Sequence, residues 1–291
     1  MTTWHLSRPG GRRVAVHELT PDAPAGAPVV LLCHAAPGSG AFDPAPEVSA
    51  GVRLIAPDRP GYGGSDPVPG LVTVDLAAAD AAAVLDRVLP VGGRAGVAGW
   101  SAGGRVALAL AAHRPELVGR VAVIGTPAPD EEVPWYGENR AMIDPMRGLP
   151  EDRARTALDE AFGPVLQHLT GDDRFALVTD PEVDAALLGR PAVADRLRAM
   201  LDAAFAKGAA GMAAEVGGYT LAPWGFDPAD VHAEVLLGYG AADAAVGVEH
   251  GRWWERALPS ARLEVVPDVG HLVVVPFWAR ALAHLTGARN A

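Results

Sequence analysis

The chain has one cysteine, Cys33, so no disulfide can form within it. Cys33 closes the apolar run Val29-Val30-Leu31-Leu32-Cys33, where a buried strand position is expected rather than a reactive thiol. Lysine is almost missing: Lys207 is the only one, and arginine supplies the rest of the basic charge. With the heavy use of Ala, Gly and Pro, this reads as coding bias rather than chemistry. Basic charge is scarce overall, at a net −11 and an isoelectric point near 5.2. Nucleic acid or an anionic membrane would demand a basic face, so neither is an expected partner. Residues 1–13 carry no apolar leader segment, and no stretch reaches bilayer-spanning length. The cytoplasm is the expected location. No G-x-x-x-x-G-K-[ST] pattern is present, the first strand-to-helix turn lacks G-x-G-x-x-G, and H-E-x-x-H does not occur. No cofactor and no metal are therefore expected.

Apolar residues make up 49% of the 291 and charged residues 20%, enough for a full core. The length suits one large α/β domain with an insertion. Strands are predicted over Arg12 to Leu19, Pro28 to His34, Val52 to Ala56, Arg94 to Gly99 and Leu117 to Ile124. Between them lie helices over Val74 to Val88 and Ala102 to His113. Val74, Ala78, Ala81, Leu85 and Val88 share one helical face. The rhythm stops near Pro127. Helical pieces with proline joints follow, such as Glu151 to Phe162 and Ala192 to Lys207. Alternation resumes with a strand at Glu234 to Tyr239, a helix around Val248 to Leu258, a strand at Arg262 to Val266 and a helix at Phe277 to Leu285. The pattern predicts an α/β fold, a mostly parallel doubly wound sheet, with residues 1–126 and 225–291 as its core. Residues 127–224 form a helical insertion too long for a structureless loop.

Gly99-Trp100-Ser101-Ala102-Gly103 follows a predicted strand and opens a helix, the context that gives a G-x-S-x-G pattern its meaning. Such a sharp turn pushes the central side chain out of the sheet and strains its backbone. Gly99 and Gly103 then sit too close to the turn to tolerate side chains. Ser101 lies at a helix N-terminus, where free N–H groups favour developing negative charge. The motif by itself also fits a glycine-rich turn with an incidental serine cap. As a nucleophile, Ser101 needs a base, and the base needs a carboxylate to orient it. His250 and His284 fall within helices and suit packing or solvent. His271 follows a strand in Pro267-Asp268-Val269-Gly270-His271, at the sheet edge where doubly wound folds bind ligands. Asp243, just after the strand at Glu234 to Tyr239, lies on that same edge and is the expected acid. Asp268 is its rival, and reads as a turn former. The N–H of Ala102 is one expected oxyanion donor, and a second should come from the loop His34-Ala35-Ala36-Pro37-Gly38-Ser39.

Together these segments resemble the α/β-hydrolase superfamily, in particular its lid-bearing small-molecule branch of esterases, proline iminopeptidases and cofactor-free perhydrolases. His34-Ala35-Ala36-Pro37 is similar to that branch's His-Gly-x-Pro loop, with Ala35 at the usual glycine. The resemblance implies that Ala36 donates the second oxyanion N–H and that His34 holds the loop by hydrogen bonding. Asp58-Arg59-Pro60-Gly61-Tyr62-Gly63-Gly64-Ser65 is similar to the branch's D-x-x-G-x-G-x-S loop, which is structural. Serine rather than aspartate at position 101 points away from the dehalogenase and epoxide hydrolase members.

The resemblance further implies that 127–224 is a lid and that the reaction is acyl chemistry on a small ester, thioester, lactone, amide or carbon–carbon bond. Trp135, Tyr136, Met142, Met146, Phe162, Phe205, Met212, Tyr219 and Trp224 are the insertion's candidates for a pocket lining. Glu131, Glu132, Glu138, Asp144 and Glu215 could meet a substrate amine, although charges on such helices are usually solvated. A triad-bearing small-molecule receptor of the same fold, with little turnover, is the alternative, since fold does not fix function.

Overall fold

The computed structural model describes residues 1–134 and 137–288. Eight strands form one sheet: β1 (Thr2–Ser7), β2 (Arg13–Glu18), β3 (Val29–Cys33), β4 (Arg53–Pro57), β5 (Ala95–Trp100), β6 (Val118–Ile124), β7 (Glu234–Gly240) and β8 (Ala261–Val266). Their spatial order is β1-β2-β4-β3-β5-β6-β7-β8. β1 and β2 pair antiparallel, β2 runs antiparallel to β4, and every other pairing is parallel. The helices are α1 (Pro46–Ser49), α2 (Val74–Val88), α3 (Ala102–His113), α4 (Gly137–Ile143), α5 (Glu151–His168), α6 (Ala185–Leu188), α7 (Pro191–Ala204), α8 (Ala210–Thr220), α9 (Val248–Ala257) and α10 (Val274–Thr286).

The central strands are apolar on both faces because helices cover both. Along β3, Leu31 and Cys33 pack into one core with α2 and α3, while Val30 and Leu32 pack into the opposite core with α10. Val97 against Ala98, and Val123 against Ile124, divide in the same way. Burial pushes the Cys33 thiol up to about 12, so it stays protonated as a core residue.

Three elements depart from the sequence expectation. β1 was not foreseen: Trp4 and Leu6 alternate with exposed residues, as at a half-buried edge, over too few residues for the pattern to stand out. α5 continues past Gly163 and Pro164 to His168, whose Nδ1 donates to the Pro164 carbonyl at 2.6 Å. α8 was missed because Gly211, Gly217 and Gly218 lower helix propensity. Tertiary packing requires those glycines. A Cβ at Gly218 would stand 1.8 Å from the Val72 carbonyl oxygen, and the Val72 N–H donates to the Ala214 carbonyl at 2.9 Å.

Between β6 and β7 the described residues hold helices and turns and no strand. The carboxyl ends of β3, β5, β7 and β8 carry the loops containing Ala36, Ser101, Asp243 and His271. Among the described residues no helix is long and apolar enough to cross a membrane.

Candidate active site

Ser101 sits between β5 and α3 with φ 55° and ψ −125°, one of two non-glycine residues at positive φ among those described. Surrounding bonds hold this strained conformation. Its N–H donates to the Ile124 carbonyl at 2.8 Å, and its carbonyl accepts from the Gly104 N–H at 3.0 Å and the Thr126 hydroxyl at 2.8 Å. The turn is compressed against its neighbours. A Cβ at Gly99 would lie 2.3 Å from the Gly103 carbonyl oxygen, and one at Gly103 would lie 2.1 Å from that of Cys33.

The Ser101 hydroxyl lies 2.9 Å from His271 Nε2, and His271 Nδ1 lies 2.7 Å from Asp243 Oδ2. The other Asp243 oxygen accepts the N–H groups of Ala245 at 3.0 Å and Val246 at 2.8 Å. Burial alone would push the Asp243 carboxyl up, but the facing His271 and these N–H donors outweigh it and hold it below the usual carboxylate range. Burial alone would lower His271, but Asp243 overrides it and raises the imidazole above the ordinary histidine value. Asp268 does not share in this: it is exposed, at φ 54°, in the turn after β8. His250 instead accepts the Ala128 N–H at 3.1 Å, and His284 Nε2 donates to the carbonyls of Val121 and Glu234.

The loop after β3 is fixed from beneath. His34 is 1% exposed; its Nδ1 donates to the Ala35 carbonyl at 2.7 Å and its Nε2 accepts the Arg59 N–H at 3.2 Å. Burial drives His34 well below the ordinary histidine value, so it stays neutral and hydrogen-bonded in one tautomer. The Arg59 guanidinium donates to the carbonyls of His34 and, at 2.8 Å, Ala35. Arg59 in turn forms a buried ion pair with Glu215 of α8. Glu215 is thus not a solvated charge, as the sequence suggested, and is committed to Arg59.

Ala36, Ser101, Ala102, Asp243 and His271 all line one cavity of about 790 Å³. Ala102 opens α3, so its N–H has no acceptor one turn earlier in the helix. The facing wall is mostly apolar and comes from the segment between β6 and β7, including Ile143, Phe162, Leu177, Met212 and Val216. Of the expected lining residues, Phe162, Met212 and Tyr219 reach the cavity; Met142, Met146, Phe205 and Trp224 do not. Trp135 and Tyr136 lie outside the described residues, as does the side chain of Glu138. None of Glu131, Glu132, Asp144 and Glu215 lines the cavity; acidic side chains reach it instead at Asp180 and Glu182. Thr126, the pairing of Glu215 with Arg59, and Trp100, whose Nε1 donates to the His271 carbonyl at 3.0 Å, were not identified from sequence as supports of the site.

The pattern of the alpha/beta hydrolase fold family matches residues 28–276. The chain belongs to that family. Within this α/β-hydrolase family, a pimeloyl-[acyl-carrier protein] methyl ester esterase from Chromobacterium violaceum is 29% identical over 184 residues, covering 60% of this chain and 62% of that enzyme. The chain thus spans less than two thirds of the length of this curated relative. Solved structures of α/β-hydrolases share the fold over nearly the whole chain. A hydrolase from Pseudomonas aeruginosa PA01 has a TM-score of 0.68 at 24% identity, covering 99% of each chain. A thermophilic esterase from Thermogutta terrifontis has a TM-score of 0.69 at 21% identity, covering 97% of each.

Proposed function

We propose that this α/β-hydrolase is a serine esterase acting on small carboxylic esters, with Ser101 as nucleophile, His271 as base and then acid, and Asp243 as its orienter. The observation that carries this reading is the hydrogen-bonded path from Ser101 through His271 to Asp243, opening into the cavity that Ala36 and Ala102 also line. His271 takes the hydroxyl proton as Ser101 Oγ bonds to the ester carbonyl carbon. The N–H groups of Ala36 and Ala102 hold the oxyanion. The imidazolium then returns its proton to the leaving alkoxide, and the acyl chain stays on Ser101 until a water, activated by His271, releases the acid. Residues 127–224 serve as the lid, whose apolar wall suits the acyl or alcohol part of the ester. The esterase named among the relatives supports ester over amide as the scissile bond.

The test is turnover on a panel of p-nitrophenyl esters, lactones and peptide amides, together with labelling by a fluorophosphonate. Esters are expected to be the best substrates, with the label on Ser101. Ser101→Ala should lower ester turnover roughly 10⁴-fold or more. Near-normal turnover in that variant would remove the assignment. Labelling with no turnover on any substrate would count for a ligand-binding role.

A further inference from the structure

Asp184 is a carboxylate that the proposed reaction does not use, and it is 1% exposed. It precedes α6, within the segment between β6 and β7, yet its main partners lie outside that segment. Oδ1 accepts the N–H of Gly270 at 2.8 Å, and Oδ2 accepts the N–H of Leu272 at 3.1 Å. These amides flank His271. The Thr179 hydroxyl also donates to Oδ2. Burying a carboxylate is costly unless such donors satisfy its oxygens. Gly270 makes room for it: a Cβ there would stand 2.9 Å from Asp184 Oδ2 and 3.1 Å from Val183 Cγ1.

We propose that Asp184 is a positioning residue for His271, a carboxylate supplied by the 127–224 insertion that pins the backbone on both sides of the base. This rests on the reading of His271 as the general base. With Trp100 Nε1 holding the His271 carbonyl, the backbone of residues 270–272 is bonded from the insertion and from β5 together. The charged groups acting on the ring are Asp243, from the loop after β7, and Asp184, from the insertion, and both raise its pKa. The turn before α3 presents the neutral Ser101, and the turn after β6 presents Gly125. An imidazolium formed in mid-reaction therefore meets two carboxylates, one bonded to it directly and one through the backbone that carries it.

Asp184→Asn keeps the shape and removes the charge. On an activated ester its kcat should fall on the order of tenfold, with KM little changed. The acid limb of kcat/KM should move to lower pH, because both carboxylates favour the imidazolium and losing one lets His271 shed its proton sooner. A merely structural role would lower stability and the active fraction and leave the limb in place. A folded Asp184→Asn with the parent kcat and limb overturns the proposal. Should that variant fail to fold, Gly270→Ala carries the test, since its methyl meets the carboxylate. The same fall in kcat and the same direction of the limb are expected; no change in either overturns it. His271→Ala separates the two readings. Turnover surviving there removes the base itself, whereas an inactive His271→Ala beside an unaltered Asp184→Asn removes only the role of Asp184.

Discussion

Ser101, Asp243 and His271 come from loops after three different strands, and each was legible because its neighbours constrain it. Ser101 stood between two glycines at a strand-to-helix turn, and those glycines abut backbone atoms that leave no space for a side chain. Asp243 was favoured over Asp268 because it follows a strand on the same sheet edge, whereas Asp268 shares the short loop of His271 and reads as a turn former; the 2.7 Å contact with His271 belongs to Asp243. Asp243→Asn should lower kcat on the order of 10⁴-fold. Asp268→Asn should stay within about a factor of two of the parent, since asparagine also tolerates φ 54° at an exposed turn. Stopped-flow hydrolysis of one ester by both variants checks this. In the proposed reaction His271 must be neutral to accept the serine proton, so kcat/KM should fall as pH drops through its raised pKa. Asp243, held low in the fold, contributes stability above its unfolded pKa that is lost as pH falls through the folded value. His271, held high, contributes stability below its unfolded pKa that is lost as pH rises through the folded one. Urea melts across acid and neutral pH read both trends.

Helix α8 shows how an element hidden in the sequence can decide the state of a residue far from it. Its glycines masked it as a loop, so Glu215 had no assigned face and read as one more solvated acid. Packed against the Leu71–Val72 segment, the helix delivers Glu215 to Arg59, and Arg59 binds the carbonyls of His34 and Ala35 immediately before Ala36. Removing one member strands a buried charge, which costs far more than removing both. Glu215→Ala should destabilise by about 3–5 kcal/mol in urea unfolding, and Arg59→Met with Glu215→Leu should recover much of that. The double variant should still show a lowered kcat, because the loop presenting Ala36 has lost its anchor. Full activity in it would mean that the pair serves folding alone.

One sheet organises the whole molecule, and the chain between β6 and β7 walls the cavity at its carboxyl edge. That segment contributes most of the apolar cavity wall, Glu215 under the loop after β3 and Asp184 beside the His271 loop. A segment held by buried charge on two sides differs from one that merely rests on the cavity. A chain with residues 127–224 replaced by a short Gly-Ser linker should therefore unfold at lower urea than the parent and show no ester turnover. Parent-like stability in that chain would mean that the insertion is only a cover.

Strand and helix periodicity and the glycine-serine turn were local patterns, readable because spacing of 2 or 3.6 residues and close backbone contact act on neighbours in the chain, and the order serine, aspartate, histidine was read from the fold they imply. The mostly parallel sheet covered on both faces follows from them, since parallel strands need crossovers; the strand order and the edge strand β1 did not. The ion pair of Arg59 with Glu215 spans 156 residues, and the bonds from Asp184 to the His271 loop span 86 and 88. No local pattern encodes such pairs. They exist because the insertion folds back over the sheet and buries its carboxylates against donors that must be satisfied, and only the assembled fold sets which donors those are.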